Sequence, residues 1–323
     1  MVDQLTGRRV FITGGAGFIG SHLVERLAAT NEVTVYDNYL RDAIGHLAGA
    51  AERARIVRGD VLDRAALETA MRGHDIVVHL AAIVGARIVG NDALRTLTVN
   101  FEGTHACLEA AAANGVRRAV VFSTSEVNGN QATWVREDEP TSIGPATEGR
   151  WAYAASKMAI EHMALAYQRR GSLEAVVIRP FNIYGPRQVG EGAVHDMGLA
   201  ALGGKPITLY GSGTQIRSWC YIDDFIDGVV AAVGRPAAAG EIFNVGNPNE
   251  TVTNLDLARL ILQLTGSTAG WIAKPLTVPE IYLRMPSIEK ARRMLAFDPR
   301  ITLAEGVRRT IEWQRTLAEP ALS

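Results

Sequence analysis

Six short runs of β-branched and aromatic residues, each leading towards a helical stretch or a loop, constrain this chain more than any other feature. RRVFIT, EVTVYD, ARIVRGD, DIVVHLAA, RAVVFSTS and EAVVIRP lie between residue 8 and about residue 180. Among them stand SHLVERLAAT, DRAALETAMRG, FEGTHACLEAAAANGV and SKMAIEHMALAYQRR, whose apolar positions recur at the helical interval. The strand runs alternate little between apolar and polar, as expected of strands covered on both faces. Strand-helix units repeated in this way build a parallel sheet wound in both directions.

The expected fold is therefore α/β, a doubly wound parallel sheet of the Rossmann type. After Arg179 the pattern loosens: RPFNIYGPRQVGEGAVHD is rich in Pro and Gly, and KPITLYGSGTQIRSWCYIDD reads as loop and strand more than helix. Residues 1–180 are expected to form the nucleotide domain, and 181–323 mainly a smaller substrate lobe with some segments returning to the first. Two later helices announce their starts, one with Thr253 followed by Asp256 and Gly266 as its stop, the other with Thr302 followed by Glu305.

Composition removes several function classes. With 33 basic and 34 acidic residues interspersed and a net charge of -1, no broad field invites nucleic acid or an anionic membrane. No apolar run approaches the roughly 20 residues of a membrane span, and the N-terminus does not read as a secretory leader, so a cytoplasmic location is expected. Cys107 and Cys220 stand far apart, and the seven histidines show no metal-ligand spacing, so neither a disulfide framework nor a metal is expected.

The first strand runs into Thr13-Gly14-Gly15-Ala16-Gly17-Phe18-Ile19-Gly20 and then a helix, the context a phosphate-binding turn requires. Gly14 permits the tight turn, Gly17 the approach of backbone to a pyrophosphate, and Gly20 close helix-sheet packing. Asp37 ends the second strand, where a carboxylate accepts hydrogen bonds from both ribose hydroxyls and repels a 2′-phosphate, which points to NAD rather than NADP. Asp60 is placed either to neighbour the adenine or to cap a helix.

Tyr153-Ala154-Ala155-Ser156-Lys157 puts a phenol and an ammonium on one helical face. A tyrosine is a poor base at neutral pH, and a neighbouring cation is expected to favour its phenolate, so Tyr153 can exchange a proton with a substrate alcohol during hydride transfer. Between the two motifs, Ser123-Thr124-Ser125-Glu126-Val127-Asn128-Gly129 follows an apolar strand. Taken alone this septet is turn chemistry. With the glycine turn upstream and the Tyr-Lys pair downstream it becomes the middle of an active site.

TGGAGFIGSH, HLAA, STSEV, YAASK and RPFNIYGPR together resemble the extended short-chain dehydrogenase/reductase family, specifically its nucleotide-sugar epimerases, dehydratases and decarboxylases, over nearly the whole chain. The resemblance implies NAD lying along Gly14, Gly17, Phe18, Ile19, Gly20, Asp37, Asn38, Asp60, Val61, Leu80, Ala81 and Ala82, with Lys157 also holding the nicotinamide ribose. It implies Thr124 on the reacting sugar hydroxyl, Tyr153 as base, and a UDP-sugar bound by Asn182, Arg187, Tyr210, Arg217 and, as a weaker candidate, Arg284. A homodimer formed by the two long helices is also implied.

The septet bears on the reaction. Family 4,6-dehydratases pair an Asp with the Glu, and Ser125 occupies that position here, which disfavours simple dehydration. Many 4-epimerases carry a small or hydroxyl residue in place of Glu126. Ser125-Glu126, with Arg150-Trp151-Ala152-Tyr153, resembles the UDP-glucuronate decarboxylases. In that reading Glu126 positions the sugar or a water, and Arg217 binds the substrate carboxylate or donates a proton. A UDP-sugar 4-epimerase stays open as the alternative, and a non-catalytic NAD-binding regulator stands further off. Relatives read VYG where this chain has Val127-Asn128-Gly129, so the sugar pocket departs from the family at Asn128.

Overall fold

The computed structural model describes residues 5–276 and 281–318. The first half of the chain runs β1 (Arg9–Thr13), α1 (Phe18–Leu27), β2 (Glu32–Asp37), α2 (Ala50–Arg53), β3 (Arg55–Arg58), α3 (Arg64–Met71), β4 (Ile76–His79), α4 (Ala86–Asn91), α5 (Ala93–Ala113), β5 (Arg118–Phe122), β6 (Gln131–Val135), α6 (Trp151–Arg169) and β7 (Glu174–Pro180). It continues through β8 (Ile183–Tyr184), α7 (Ala193–Leu202), β9 (Ile207–Tyr210), β10 (Ile216–Ser218), β11 (Cys220–Tyr221), α8 (Ile222–Gly234) and β12 (Ile242–Val245). The last elements are β13 (Thr251–Thr253), α9 (Asn254–Thr265), β14 (Trp271–Lys274), β15 (Leu283–Pro286), α10 (Glu289–Leu295) and α11 (Leu303–Ala318).

Seven strands form one parallel sheet in the order β12-β7-β5-β4-β1-β2-β3. All six expected strands take part, and β12 from the later chain extends the edge beyond β7. The side chains alternate between two cores. Val10, Ile12, Val35, Val78, Val120 and Ile178 pack with residues of α1 and α8 on one face. Phe11, Tyr36, Val77, Val121 and Val177 pack with residues of α3, α5 and α6 on the other. Each fully buried aliphatic side chain contributes roughly 1.5–3 kcal/mol relative to exposure, so the sheet's continuous hydrophobicity is its stability. Arg118, with no exposure at all, meets Glu174 and the carbonyls of Val233 and Arg235 where α8 ends, a cation at the negative end of a helix.

The helix signals in the sequence correspond to real ends. Thr253 Oγ1 accepts the Asp256 N–H at 3.0 Å and Gly266 closes α9 at φ 72°, while the Thr302 hydroxyl accepts the Glu305 N–H at 3.3 Å.

A smaller sheet has the order β13-β10-β15-β6. β6 comes from the first 180 residues and β15 from the last 50, and they pair in parallel with an irregularity between Arg284 and Pro286. This contact brings the late chain against the septet, because β6 directly follows the 3-10 turn Ser125–Asn128. Cys107 and Cys220 are both free thiols buried in the cores. Among the described residues no helix is long and apolar enough to cross a membrane.

Candidate active site

The sheet order reverses between β1 and β4, and the crevice opens there, at the carboxyl ends of the strands. Its floor is the glycine turn. Gly14 has φ +70°, and a Cβ on it would fall 2.5 Å from Ala81 N, so only glycine fits between β1 and β4. A Cβ on Gly20 would meet the Gly14 carbonyl oxygen at 2.6 Å, which fixes how closely α1 approaches the sheet. Gly17 caps α1, whose first turn carries no acidic residue, so its positive end is left for an anion.

A cleft of about 440 Å³ follows this floor and is lined by Gly14, Gly17, Phe18, Ile19, Gly20, Asp37, Asn38, Asp60, Val61, Leu80, Ala81 and Ala82. Asp37 is held by backbone donors: Ala16 N–H reaches Oδ2 at 2.9 Å and Tyr39 N–H reaches Oδ1 at 2.7 Å. Burial pushes its carboxyl above the ordinary range, and those N–H groups pull it back. Asp60 lines the cleft and does not cap α3, whose first turn is capped by Asp63. Its Oδ1 accepts the Leu62 N–H at 3.0 Å, and Oδ2 accepts Asn38 Nδ2 at 3.1 Å at the cleft wall.

The same cleft continues to Thr124, Ser125, Glu126, Tyr153, Asn182 and Arg284. Thr124 Oγ1 accepts the Glu126 N–H at 3.2 Å, and its hydroxyl hydrogen-bonds the Tyr153 phenol. Lys157 lies one helical turn beyond Tyr153, with Nζ donating to the Phe122 carbonyl at 2.7 Å and standing 5.8 Å from the Tyr153 ring centre. Burial lowers Lys157 to about 7. The lowered tyrosine expected from the sequence is not what the chain alone produces. Burial first, and the Glu126 charge second, raise the Tyr153 phenol, while Thr124 and Arg284 act in the other direction.

Glu126 stands between two guanidiniums, 3.4 Å from Arg150 Nη2 and 3.5 Å from Arg284 Nη2. The arginines named from the sequence separate here. Arg217, expected to bind the substrate carboxylate or donate a proton, donates to the carbonyls of Ile216 and Ile281 and is not among the residues lining the cleft. Arg284, its register partner on the neighbouring strand, takes the place by the carboxylate. Arg187 is drawn onto α1, pairing with Glu25 at 2.6 Å, and Tyr210 is exposed at the end of β9; neither lines the cleft. Asn182 lines it with φ 45°, its Nδ2 donating to the Ser218 carbonyl at 2.9 Å. Asn128 turns back on the septet, with Nδ2 donating to the Ser125 carbonyl at 3.3 Å.

Three elements of the site are tied by a buried network that the sequence reading did not single out. Glu161, two turns beyond Tyr153, takes a bidentate pair from Arg179 at 2.8 and 2.7 Å and also accepts the Ser123 hydroxyl. Ser123 precedes Thr124, and Arg179 lies three residues before Asn182. Arg41, Gln188 and Glu191 also line the cleft and went unremarked, because they sit in loops where charge alone is an ordinary surface signal.

A profile described as "NAD dependent epimerase/dehydratase family" matches residues 10–246. A UDP-N-acetyl-alpha-D-glucosaminuronate decarboxylase from Bacillus cytotoxicus is 33% identical over 320 residues, covering 96% of this chain and 98% of the relative. A dTDP-glucose 4,6-dehydratase from Streptomyces niveus is 34% identical over 325 residues, covering 95% and 93%. The solved UDP-glucuronic acid 4-epimerase from Bacillus cereus, in complex with UDP-glucuronic acid and NAD, superposes with a TM-score of 0.87 at 30% identity, covering 96% of this chain and 99% of that one. The glycine cradle, the carboxylate at the end of β2 and the crevice at the strand-order reversal fit the same dinucleotide. With that fold, that crevice and a Tyr-Lys pair at its end, this chain belongs to the NAD-dependent epimerase/dehydratase family of nucleotide-sugar enzymes, with NAD as its cofactor.

Proposed function

We propose that this enzyme oxidises and decarboxylates a UDP-linked uronic acid, turning UDP-glucuronate into a UDP-4-keto-pentose, UDP-xylose or both. The observation that carries the reading is Glu126 held between Arg150 and Arg284 beside Thr124 and Tyr153. Two guanidiniums flank one carboxylate at this end of the cleft, an arrangement whose planar cations suit the carboxylate of a uronate, whereas a neutral hexose brings no anion to meet them.

NAD held along Gly14, Gly17 and Asp37 would supply the acceptor for the C4 hydride as the sugar becomes a 4-ketone, and hydride return to C4 after decarboxylation would give UDP-xylose, its omission the 4-keto-pentose with the cofactor left reduced. Tyr153, within hydrogen-bond reach of Thr124, takes the proton of the C4 hydroxyl, with Thr124 and Arg284 the groups that favour its phenolate. In the resulting β-keto acid the C5–C6 bond breaks, its electron pair passes towards the C4 oxygen, and carbon dioxide leaves. Thr124 and protonated Tyr153 donate hydrogen bonds to that oxygen as charge develops on it. Arg284 orients the carboxylate before it leaves, and Glu126 with Arg284 holds the water that returns a proton to C5. Arg217 and Arg187 are assigned no part in this chemistry.

The test is incubation with NAD and either UDP-glucuronate or UDP-N-acetylglucosaminuronate, followed by the mass of the product. Loss of carbon dioxide supports the reading. A product of unchanged mass but altered sugar stereochemistry would establish the second reading, a UDP-uronate 4-epimerase, which the likeness to the Bacillus cereus structure favours. The same proposal includes a cytoplasmic homodimer joined through α5 and α6, since α5 exposes Leu94, Leu97 and Phe101. Sedimentation of the wild type and of Phe101→Glu checks it: a monomeric wild type removes it.

A further inference from the structure

The loop carrying Arg41 is fixed at one end to the cofactor floor. Ala43 and Ile44 both donate their N–H groups to the Ala16 carbonyl of the glycine turn, at 2.8 and 3.0 Å. From that anchored loop, on the β2 side, the Arg41 side chain reaches to the β4 side, where Nη2 donates to the Val84 carbonyl at 3.0 Å. Its guanidinium is flanked by two glycine backbones. A Cβ on Gly190, which has φ +92°, would lie 3.3 Å from Cζ and Nε, and one on Gly85, which has φ +112°, would lie 3.4 Å from Nη2 and 2.7 Å from Oε2 of Glu191, whose carboxylate neighbours the guanidinium at this point. Arg41 thus joins three loops, those following β2, β4 and β8, and all three line the same cleft.

The crossing has a definite relation to the ligand. A dinucleotide in this crevice would have its adenosine held towards Asp37 and Asp60 and its phosphates on the glycine turn, with the reacting end towards Ala81 and Tyr153, all residues that line the cleft. Arg41 spans from the first side to the second. A planar cation with several donors suits a diphosphate, and the acid-free first turn of α1 faces the same place from below.

We propose that Arg41 is a cofactor-binding residue, a bolt drawn over the pyrophosphate that retains NAD by pairing with its phosphates and holding the three loops closed. It holds for decarboxylase and epimerase alike, because it concerns the cofactor and not the sugar.

The experiment compares wild type, Arg41→Ala, Arg41→Met and Arg41→Lys for binding of NAD, ADP and adenosine by titration calorimetry, with NAD release followed by rapid dilution. The Ala and Met variants are expected to bind NAD and ADP at least about tenfold more weakly, mostly through faster release, with adenosine unchanged. Lys, which keeps the charge without the fork, is expected to fall between. Excess NAD restores turnover. Unchanged NAD release in Ala and Met, or an equal weakening of adenosine in both, overturns the proposal, the first by removing the retention and the second by showing general collapse of the cleft. Melting temperatures of the four proteins identify a variant that has lost its fold, and the Met form keeps the apolar stem if Ala does not.

Discussion

Arg284 Nη2 lies 3.5 Å from Glu126 Oε1, so a residue near the end of the chain meets the turn that follows β5. Removing either partner leaves the other's charge buried, and removes a group placed where charge develops in the reaction. Arg284→Met is expected to slow release of labelled carbon dioxide from carboxyl-labelled UDP-glucuronate by about 10² to 10³, and Glu126→Gln by about 10². NAD affinity is expected to stay within about twofold in both, because neither residue lines the adenosine end. Carbon dioxide release at the wild-type rate in both variants would falsify the assignment.

The same pair sets a pH dependence with a definite sign. In the proposed mechanism Tyr153 acts as a base only after losing its proton, so kcat/KM is expected to rise with pH through the phenol's pKa. Glu126 raises that pKa and Arg284 lowers it. The acid limb of the profile is therefore expected to move to lower pH in Glu126→Gln and to higher pH in Arg284→Met. Shifts in the opposite directions would show that the charges act on some other group.

The Glu161–Arg179 pair is expected to matter for alignment more than for stability. Breaking it by Glu161→Met alone strands a buried guanidinium and costs about 3–5 kcal/mol, whereas Glu161→Met with Arg179→Met costs much less. Denaturant titration measures both. Because the network joins Ser123 just before Thr124, Glu161 two turns after Tyr153 and Arg179 three residues before Asn182, the double variant is expected to lose kcat about tenfold or more while KM moves little. Full kcat in a folded double variant would reduce the pair to packing.

Two buried histidines predict acid sensitivity. His79, wedged between the hydroxyls of Thr13 and Thr104, is lowered to about 3, and His22 to about 4, in each case chiefly by burial. Both titrate at 6.5 when unperturbed, so below that pH the unfolded chain binds protons that the folded chain refuses. Stability is expected to fall steadily from about pH 6.5 down through pH 4, and His79→Asn and His22→Gln are expected to flatten that fall. Thermal melts between pH 7 and pH 4 with the same slope in wild type and variants would exclude these two as the cause.

What the sequence made legible was local. The glycine turn, the carboxylate at the end of β2, the Tyr-Lys spacing and the Thr253 and Gly266 caps each depend on residues a few positions apart, and each lies where expected. Helix starts were less legible. α5 begins at Ala93, capped by Asp92 whose side chain accepts the Arg95 N–H, eight residues ahead of the stretch of expected helix that begins at Phe101. α6 begins at Trp151, ahead of SKMAIEHMALAYQRR.

The arginines show why the site itself was only partly readable. Arg217 and Arg284 occupy register-paired positions on β10 and β15, although motif alone gives Arg217 the stronger claim and Arg284 the weaker one. What separates them is that β15 lies between β10 and β6, a pairing across 150 residues that no local pattern announces. Arg41 illustrates the same limit, since its partner carbonyl belongs to a loop 43 residues away.

The place of β15 also fixes an order of events during synthesis. A nascent chain that has emerged as far as β7 carries six of the seven strands of the large sheet, along with Tyr153, Lys157 and Glu126, but no Arg284. Until the ribosome has delivered residues 283–286, β6 has no neighbour in the small sheet and Glu126 lacks one of its two cations. The cofactor crevice is thus nearly complete while the sugar-processing end is not, and premature termination ahead of β15 yields a chain with the means to cradle a nucleotide and none to complete the charge arrangement around its substrate.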